Sequence, residues 1–141
     1  MRLLIDTNVI LDCLFQREPF KDDAAEILRL SAEDDIELFV SASAVTDIFY
    51  IARKELKDAQ KARDTMVALM GVVGIAAVSA TEISNALSLA WKDFEDSVQY
   101  SVALIQGMDM IITRNGKDFE NPQVKVMEPK AALFALKSKT E

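Results

Sequence analysis

Leu3-Leu4-Ile5-Asp6-Thr7-Asn8-Val9-Ile10-Leu11 decides how this chain is read. The apolar run Leu3 to Ile5 predicts a short buried strand, central in a parallel sheet. Val9, Ile10, Leu11 and Leu14 then follow at helical spacing, so Asp6-Thr7-Asn8 forms the strand-to-helix turn. In open α/β sheets that turn, at the strand's carboxyl end, is where ligands bind. Asp6 has two readings. It can cap the helix, since Asp, Thr and Asn all accept bonds from free helical N–H groups. It can also ligate a metal, and only other carboxylates arriving at the same place raise that reading above the cap.

Outward from this turn, apolar strand-like runs alternate with helical patterns, as in βαβ units. A helix to about Leu14 is broken by Gln16-Arg17-Glu18-Pro19, and Ala24, Ala25, Ile27, Leu28 and Leu30 mark a second. Ile36 to Val40 is the next predicted strand, followed by helices over Ser43 to Leu56 and Asp58 to Met70. Ile75 to Val78 predicts a short strand. Ser79 and Glu82 form a capping box for a helix through Trp91. A helix from Phe94 to Gln106 stops at Gly107, a C′ glycine. Met110-Ile111-Ile112 predicts a strand, Val124 to Val126 an edge strand, and the stretch from Pro129 a terminal helix. No repeat or linker interrupts residues 1–141, which are expected to form one domain.

The composition narrows the chemistry. The chain has 141 residues and no histidine, which removes Ser-His-Asp triads and imidazole metal sites. What remains is oxygen donors, which suit hard ions such as Mg²⁺ or Mn²⁺. Cys13 is the only cysteine, so no internal disulfide can form. Asp6 and Asp12 interrupt the N-terminal apolar stretch, and Gly71 and Gly74 split the uncharged stretch Thr65 to Thr81, so neither a secretory signal nor a membrane span is expected. A cytoplasmic location is therefore expected. The net charge of −7 argues against nucleic-acid binding, which needs positive surface. Basic residues nevertheless gather at Arg53-Lys54, Lys57, Lys61 to Arg63, Arg114 and Lys117, either as a solvated helix face or as a binding patch.

A few carboxylates fall outside the ordinary polar faces. Asp47 is the only charge between Val40 and Ala52, in a helix apolar on nearly every side and therefore expected to be buried. A carboxylate there needs a cationic partner, a hydrogen-bonded network or a metal. Asp93-Phe94-Glu95-Asp96 opens another helix, where Asp93 fits an N-cap and Asp96 suits the positive end of the macrodipole. Asp118 lies in the turn after Met110 to Ile112. If the turns after the first and fourth strands adjoin, Asp6, Asp47, Asp96 and Asp118 meet in one crevice. Four unpaired carboxylates repel and so imply bound cations. Two divalent ions roughly 3.5–4 Å apart would serve phosphodiester cleavage.

In this order and at these separations, the motifs resemble those of the PIN-domain family of metal-dependent ribonucleases. They are Asp6-Thr7-Asn8, Asp47, Asp93-Phe94-Glu95-Asp96-Ser97, and Ile111-Ile112-Thr113-Arg114-Asn115 with Lys117-Asp118-Phe119. The resemblance implies a three-layer α/β/α sandwich around a central, mostly parallel sheet. It implies Asp6, Asp47 and Asp96 as catalytic metal ligands, with Thr7 and Asn8 holding the Asp6 turn and Asp93, Thr113 and Asn115 in support. The second acid is often Glu in the family, and the Thr-Arg-Asn segment often ends in Asp. The fourth acidic role therefore falls to Asn115 as a neutral oxygen or to Asp118, the residue taken here.

Small members that resemble this chain are mostly VapC-type toxins of toxin–antitoxin pairs, which cleave RNA, are often dimers and are inhibited by a small antitoxin covering the site. The resemblance thus implies an RNA substrate, an antitoxin partner and a homodimer, with Tyr50, Trp91 and Phe134 as candidates for an apolar contact surface or for core packing. A competing class is a non-catalytic PIN-like module that holds a cation or a basic partner, which Asn115 and the net charge favour. A receiver-type or haloacid-dehalogenase-type phosphate enzyme also uses aspartates at strand ends, but Asp6-Thr7-Asn8 lacks the second acid.

Overall fold

Strand β1 (Arg2–Ile5) sits at the centre of a five-stranded sheet with strand order β3-β2-β1-β4-β5, every neighbouring pair parallel. The other strands are β2 (Glu37–Ser41), β3 (Gly74–Ala76), β4 (Met110–Ile112) and β5 (Lys125–Met127). The computed structural model describes residues 1–120 and 122–140, and residues 138–140 by their backbone alone. Leu3, Leu4 and Ile5 are all fully buried, at about 1.5–3 kcal/mol each in burial free energy. A strand buried on both faces has no polar alternation, which is why this run reads as continuous apolar sequence.

Successive side chains of β1 serve opposite faces. Leu3 and Ile5 pack with α1 (Thr7–Leu14), α2 (Lys21–Arg29), α3 (Ala42–Leu56), α4 (Ala59–Met70) and α7 (Pro129–Thr140). Leu4 packs with Ala76, Ile111, Phe119 and the apolar side of α6 (Phe94–Ile105), with Leu89 of α5 (Ala80–Leu89) against the same cluster. The result is a three-layer α/β/α sandwich. Among the described residues no helix is long and apolar enough to cross a membrane.

Local signals set several boundaries. Ser79 and Glu82 make the reciprocal capping bonds at the start of α5. Asp58 caps α4 through the N–H groups of Gln60 and Lys61. Gly107 takes φ +69° after α6, a conformation open to glycine at little cost. Two expectations fail. Helix α5 ends at Leu89 rather than Trp91, with Ala90 in the left-handed region. Strand β3 is shorter than Ile75 to Val78 and leaves Ile75 half exposed, as an edge strand allows.

The chain runs β1, β2, β3 outward on one side of the centre, then returns to lay β4 on the other side of β1. The order reverses between β1 and β4, and the crevice beyond their carboxyl ends is the switch point of the sheet. Ile5 pairs with Ile112 there, and the Asp6 N–H carries the ladder one bond further, to the Ile112 carbonyl at 2.9 Å.

Candidate active site

Asp6 leaves β1 into the crevice with only 4% of its surface exposed. Its backbone occupies the N-cap position of α1, and its carbonyl accepts from the N–H groups of Val9 and Ile10. Its carboxylate makes no capping bond. Gln99 Nε2 donates to Oδ1 at 2.9 Å, and Thr113 Oγ1 donates to Oδ2 at 2.9 Å. The two residues that fix the side chain thus come from α6 and from the end of β4, rather than from Thr7 and Asn8. The Thr113 hydroxyl is itself held, since it accepts from the Asn115 N–H at 3.1 Å.

Around Asp6 opens a cavity of ≈ 430 Å³. Asp47, Asp93, Glu95, Asp96 and Asp118 line it with Asp6, together with Thr7, Asn8, Tyr50 and Asn115. Three helix starts and one strand end converge here because the parallel sheet brings every βα turn to the same edge. Asp93 caps α6, accepting from the Asp96 N–H at 3.0 Å. Its capping role and its place in the cavity are compatible, because a cap uses one carboxylate oxygen. Asp118 closes a short 3₁₀ turn over Gly116–Asp118, its N–H bonded to the Asn115 carbonyl.

Asp47 is placed otherwise than its surroundings in sequence predict. Helix α3 buries only Ala44, Ile48 and Ala52, while Thr46, Asp47 and Tyr50 are exposed. The apolar residues on its other faces meet α4 or line surface grooves, so Asp47 stands at the cavity mouth without needing a buried partner. Trp91 is also placed apart from the surface it was grouped with. Its ring packs on Tyr100 and Phe119 at centroid distances of 4.9 and 5.8 Å, whereas Tyr50 and Phe134 are largely exposed.

The cavity is electrostatically one-sided. Six carboxylates line it and, among the described lining residues, no Lys or Arg. Burial and then the charges of Asp93, Asp6, Asp118 and Glu95 push the Asp96 carboxyl up to about 7. Burial first, then Asp47, Asp6 and Asp93, raises Glu95 as well. The Thr7 hydroxyl, buried in the cavity wall, lies near Glu95 but forms no hydrogen bond. Repulsion of this kind is relieved by protonation or by a cation. An all-oxygen anionic donor set with an unsatisfied hydroxyl fits a hard divalent ion. Among the described residues no three of these carboxylates yet stand at chelating distance of one point. Asp47 and Asp118 are exposed, whereas Asp6 is fixed by two hydrogen bonds.

Two participants escape the sequence reading. Gln99 is buried in α6 one turn after Asp96, between the buried Ser97 and Ser101, and nothing in the sequence singles it out from those polar neighbours. Asp12 is 1% exposed and receives a bidentate pair from Arg114, Nε to Oδ2 at 2.6 Å and Nη2 to Oδ1 at 3.2 Å. The pair ties the last turn of α1 to the turn after β4, and it removes Arg114 from the cations free to meet a polyanion.

Comparison with known proteins agrees with this architecture. Ribonuclease VapC1 of Aquifex aeolicus (strain VF5) is 25% identical over 131 residues, covering 89% of both chains. The structure of VapBC-1 from nontypeable Haemophilus influenzae superposes with TM-score 0.72 at 16% identity, over 92% of this chain and 99% of that one. VapBC2 from Rickettsia felis, solved bound to a DNA fragment from its promoter, gives 0.71 at 17%, over 91% and 98%. The sequence model of the PIN domain matches residues 2–117, from the first residue of β1 into the turn after β4, ending one residue before Asp118. That span contains Asp6, Asp47, Asp93, Glu95, Asp96 and Asn115 of the crevice, and the chain belongs to the PIN-domain family.

Proposed function

We propose that this protein is a divalent-metal-dependent endoribonuclease that hydrolyses RNA phosphodiester bonds, and that it is the toxin of a toxin–antitoxin pair. One observation carries the catalytic reading: six carboxylates and no cation share a cavity at the switch point of the sheet. The relative named Ribonuclease VapC1 and the VapBC neighbours support the substrate class and a small antitoxin partner.

In this reading Asp6, Asp47 and Asp96 are the principal metal ligands, and Asp118 supplies the fourth charge for Mg²⁺ or Mn²⁺. When bound, such an ion supplies Lewis acidity toward the phosphodiester and toward an attacking water. The chain's own residues prepare the place. Gln99 and Thr113 hold Asp6 in one rotamer, so its oxygens need no reorganisation. Thr113 transmits that position to Asn115 through its hydroxyl. Asp93 fixes the first turn of α6, and with it Asp96. Tyr50 and Asn8 line the same cavity and would contact a single strand that enters it.

The test is cleavage of single-stranded RNA with Mn²⁺, without it, and by Asp6→Asn. Cleavage that needs the ion and disappears in the variant is the expected result. Undiminished cleavage in excess EDTA contradicts it. Asn115, neutral at the end of the Thr-Arg-Asn segment, favours a second reading as a non-catalytic module holding a cation or basic partner, for which ion binding without turnover is the signature. We further propose a cytoplasmic homodimer, and light scattering at micromolar concentration checks the assembly.

A further inference from the structure

An acidic cavity on a chain of net charge −7 repels a polyanion, so RNA must be gripped beside the carboxylates. The residue next to Asn115 marks such a place. Arg114 lies over the Phe20 ring with its guanidinium carbon 4.0 Å from the centroid, clamped there by buried Asp12. Phe20 remains 38% exposed, and with Arg114, Pro19 and Pro129 it walls a separate cavity of ≈ 330 Å³. The charged residues on that wall are Arg114 and Lys130 against Asp23 and Glu128, a formally neutral set.

We propose that this cavity takes one nucleobase of the RNA strand, stacked on the Phe20–Arg114 pair, next to the phosphate presented to the acidic site. The proposal rests on the ribonuclease reading for the identity of the strand. Three observations select a base. Most of the wall is aromatic, prolyl and guanidinium, from Phe20, Pro19, Pro129 and Arg114, and such groups stack on any base face. Its balanced charge suits a neutral ring and discourages a phosphate. Its Arg114 is bonded in sequence to Asn115 of the acidic cavity, so consecutive residues, with Cα atoms about 3.8 Å apart, wall the two cavities. The Asp12 pair adds preorganisation: the guanidinium is already oriented, so little side-chain freedom is lost when a base arrives.

The test uses the full chain carrying Asp6→Asn, so that binding is read apart from cleavage. The probe is a short fluorescein-labelled single-stranded RNA of mixed sequence, with a set in which each nucleotide in turn is abasic. Removing the base at one position should weaken binding about tenfold, the worth of one stacked base. Adding Phe20→Leu should abolish that position's sensitivity while leaving the others, and Phe20→Tyr, which keeps the ring, should retain it. Leu keeps apolar volume at a partly exposed site, and a merely structural loss weakens binding at every position equally. Equal abasic profiles with and without Phe20→Leu overturn the platform even where the Asp6-intact enzyme cleaves RNA. A Phe20-dependent profile on a protein that never cleaves upholds the platform and overturns the nuclease reading.

Discussion

Asp6 at the N-cap and Asp12 in the last turn stand at opposite ends of one short helix, both almost wholly buried, and they are treated by the fold in opposite ways. Asp12 is neutralised in place by a bidentate guanidinium. Asp6 receives two neutral donors and five neighbouring carboxylates in the same cavity, with no countercharge among them. A buried charge without a countercharge costs free energy, and a fold keeps one where a ligand settles the account. The contrast separates a carboxylate that joins two elements from one that is held ready.

The sharpest break is functional. Asp6→Asn is nearly isosteric and keeps the acceptor for Thr113, so the protein should fold, while RNA cleavage should fall by about a thousandfold, the upper range for losing one electrostatic contact at a reacting centre. A variant that cleaves within tenfold of the parent would make Asp6 as structural as Asp12. Asp12→Ala tests the other half. It strands Arg114 without its partner and should cost about 3 kcal/mol in urea unfolding, whereas the pair Asp12→Leu with Arg114→Met should recover most of that. Thr113→Val leaves Asp6 with one donor and should lower activity roughly tenfold, an outer-shell effect measured as kcat/KM at saturating ion.

The next effect concerns pH. In the ion-free protein Asp96 binds its proton more tightly folded than unfolded, so its contribution to stability is present below about pH 4 and is lost as pH rises to about 7. Asp96→Asn should therefore raise the Tm of the EDTA-treated protein at pH 8 and not at pH 4. The gain is about 1 kcal/mol once the half-exposed position is discounted for screening. Adding Mn²⁺ should reverse the order, because only the parent then gains a ligand charge. A gain at pH 4 as large as at pH 8 would show that charge is not the cause. The smallest effects lie at the fourth position. Asp118→Asn should weaken Mn²⁺ affinity a few-fold in titrations, more than Asn115→Ala, while Asn115→Asp strengthens it. An unchanged Asp118→Asn leaves three acids at the site.

Local chemistry is what the sequence carries well. The continuous apolar run of β1, the capping box at Ser79 and the stop at Gly107 each act within a few residues, and each is visible in the chain as written. The positions of Asp6, Asp47, Asp96 and Asp118 at one sheet edge follow from parallel strand order, which alternation alone suggests. Gln99 and Thr113 are different. They reach Asp6 across 93 and 107 residues; Thr113 enters the expected site only through the family motif, and nothing at all marks Gln99. Asp47 departs from its expected setting for a related reason: a helix apolar on nearly every side predicts burial all round, whereas part of the surface of α3 lines grooves and the cavity mouth. Side-chain exposure is settled by neighbours far away in sequence.

The order of strands also sets when the cavity comes into being. During synthesis β1, β2 and β3 leave the ribosome first, yet the neighbour that flanks β1 on its other side is β4, after residue 109. A nascent chain that has reached β3 has an open β1 edge, an Asp6 without Thr113 or Gln99, and no acidic crevice at all. Closure over so long a separation is slow to form and comes late. The crevice therefore cannot take shape while only β1 to β3 have been made; it waits for α6 and β4 to reach Asp6.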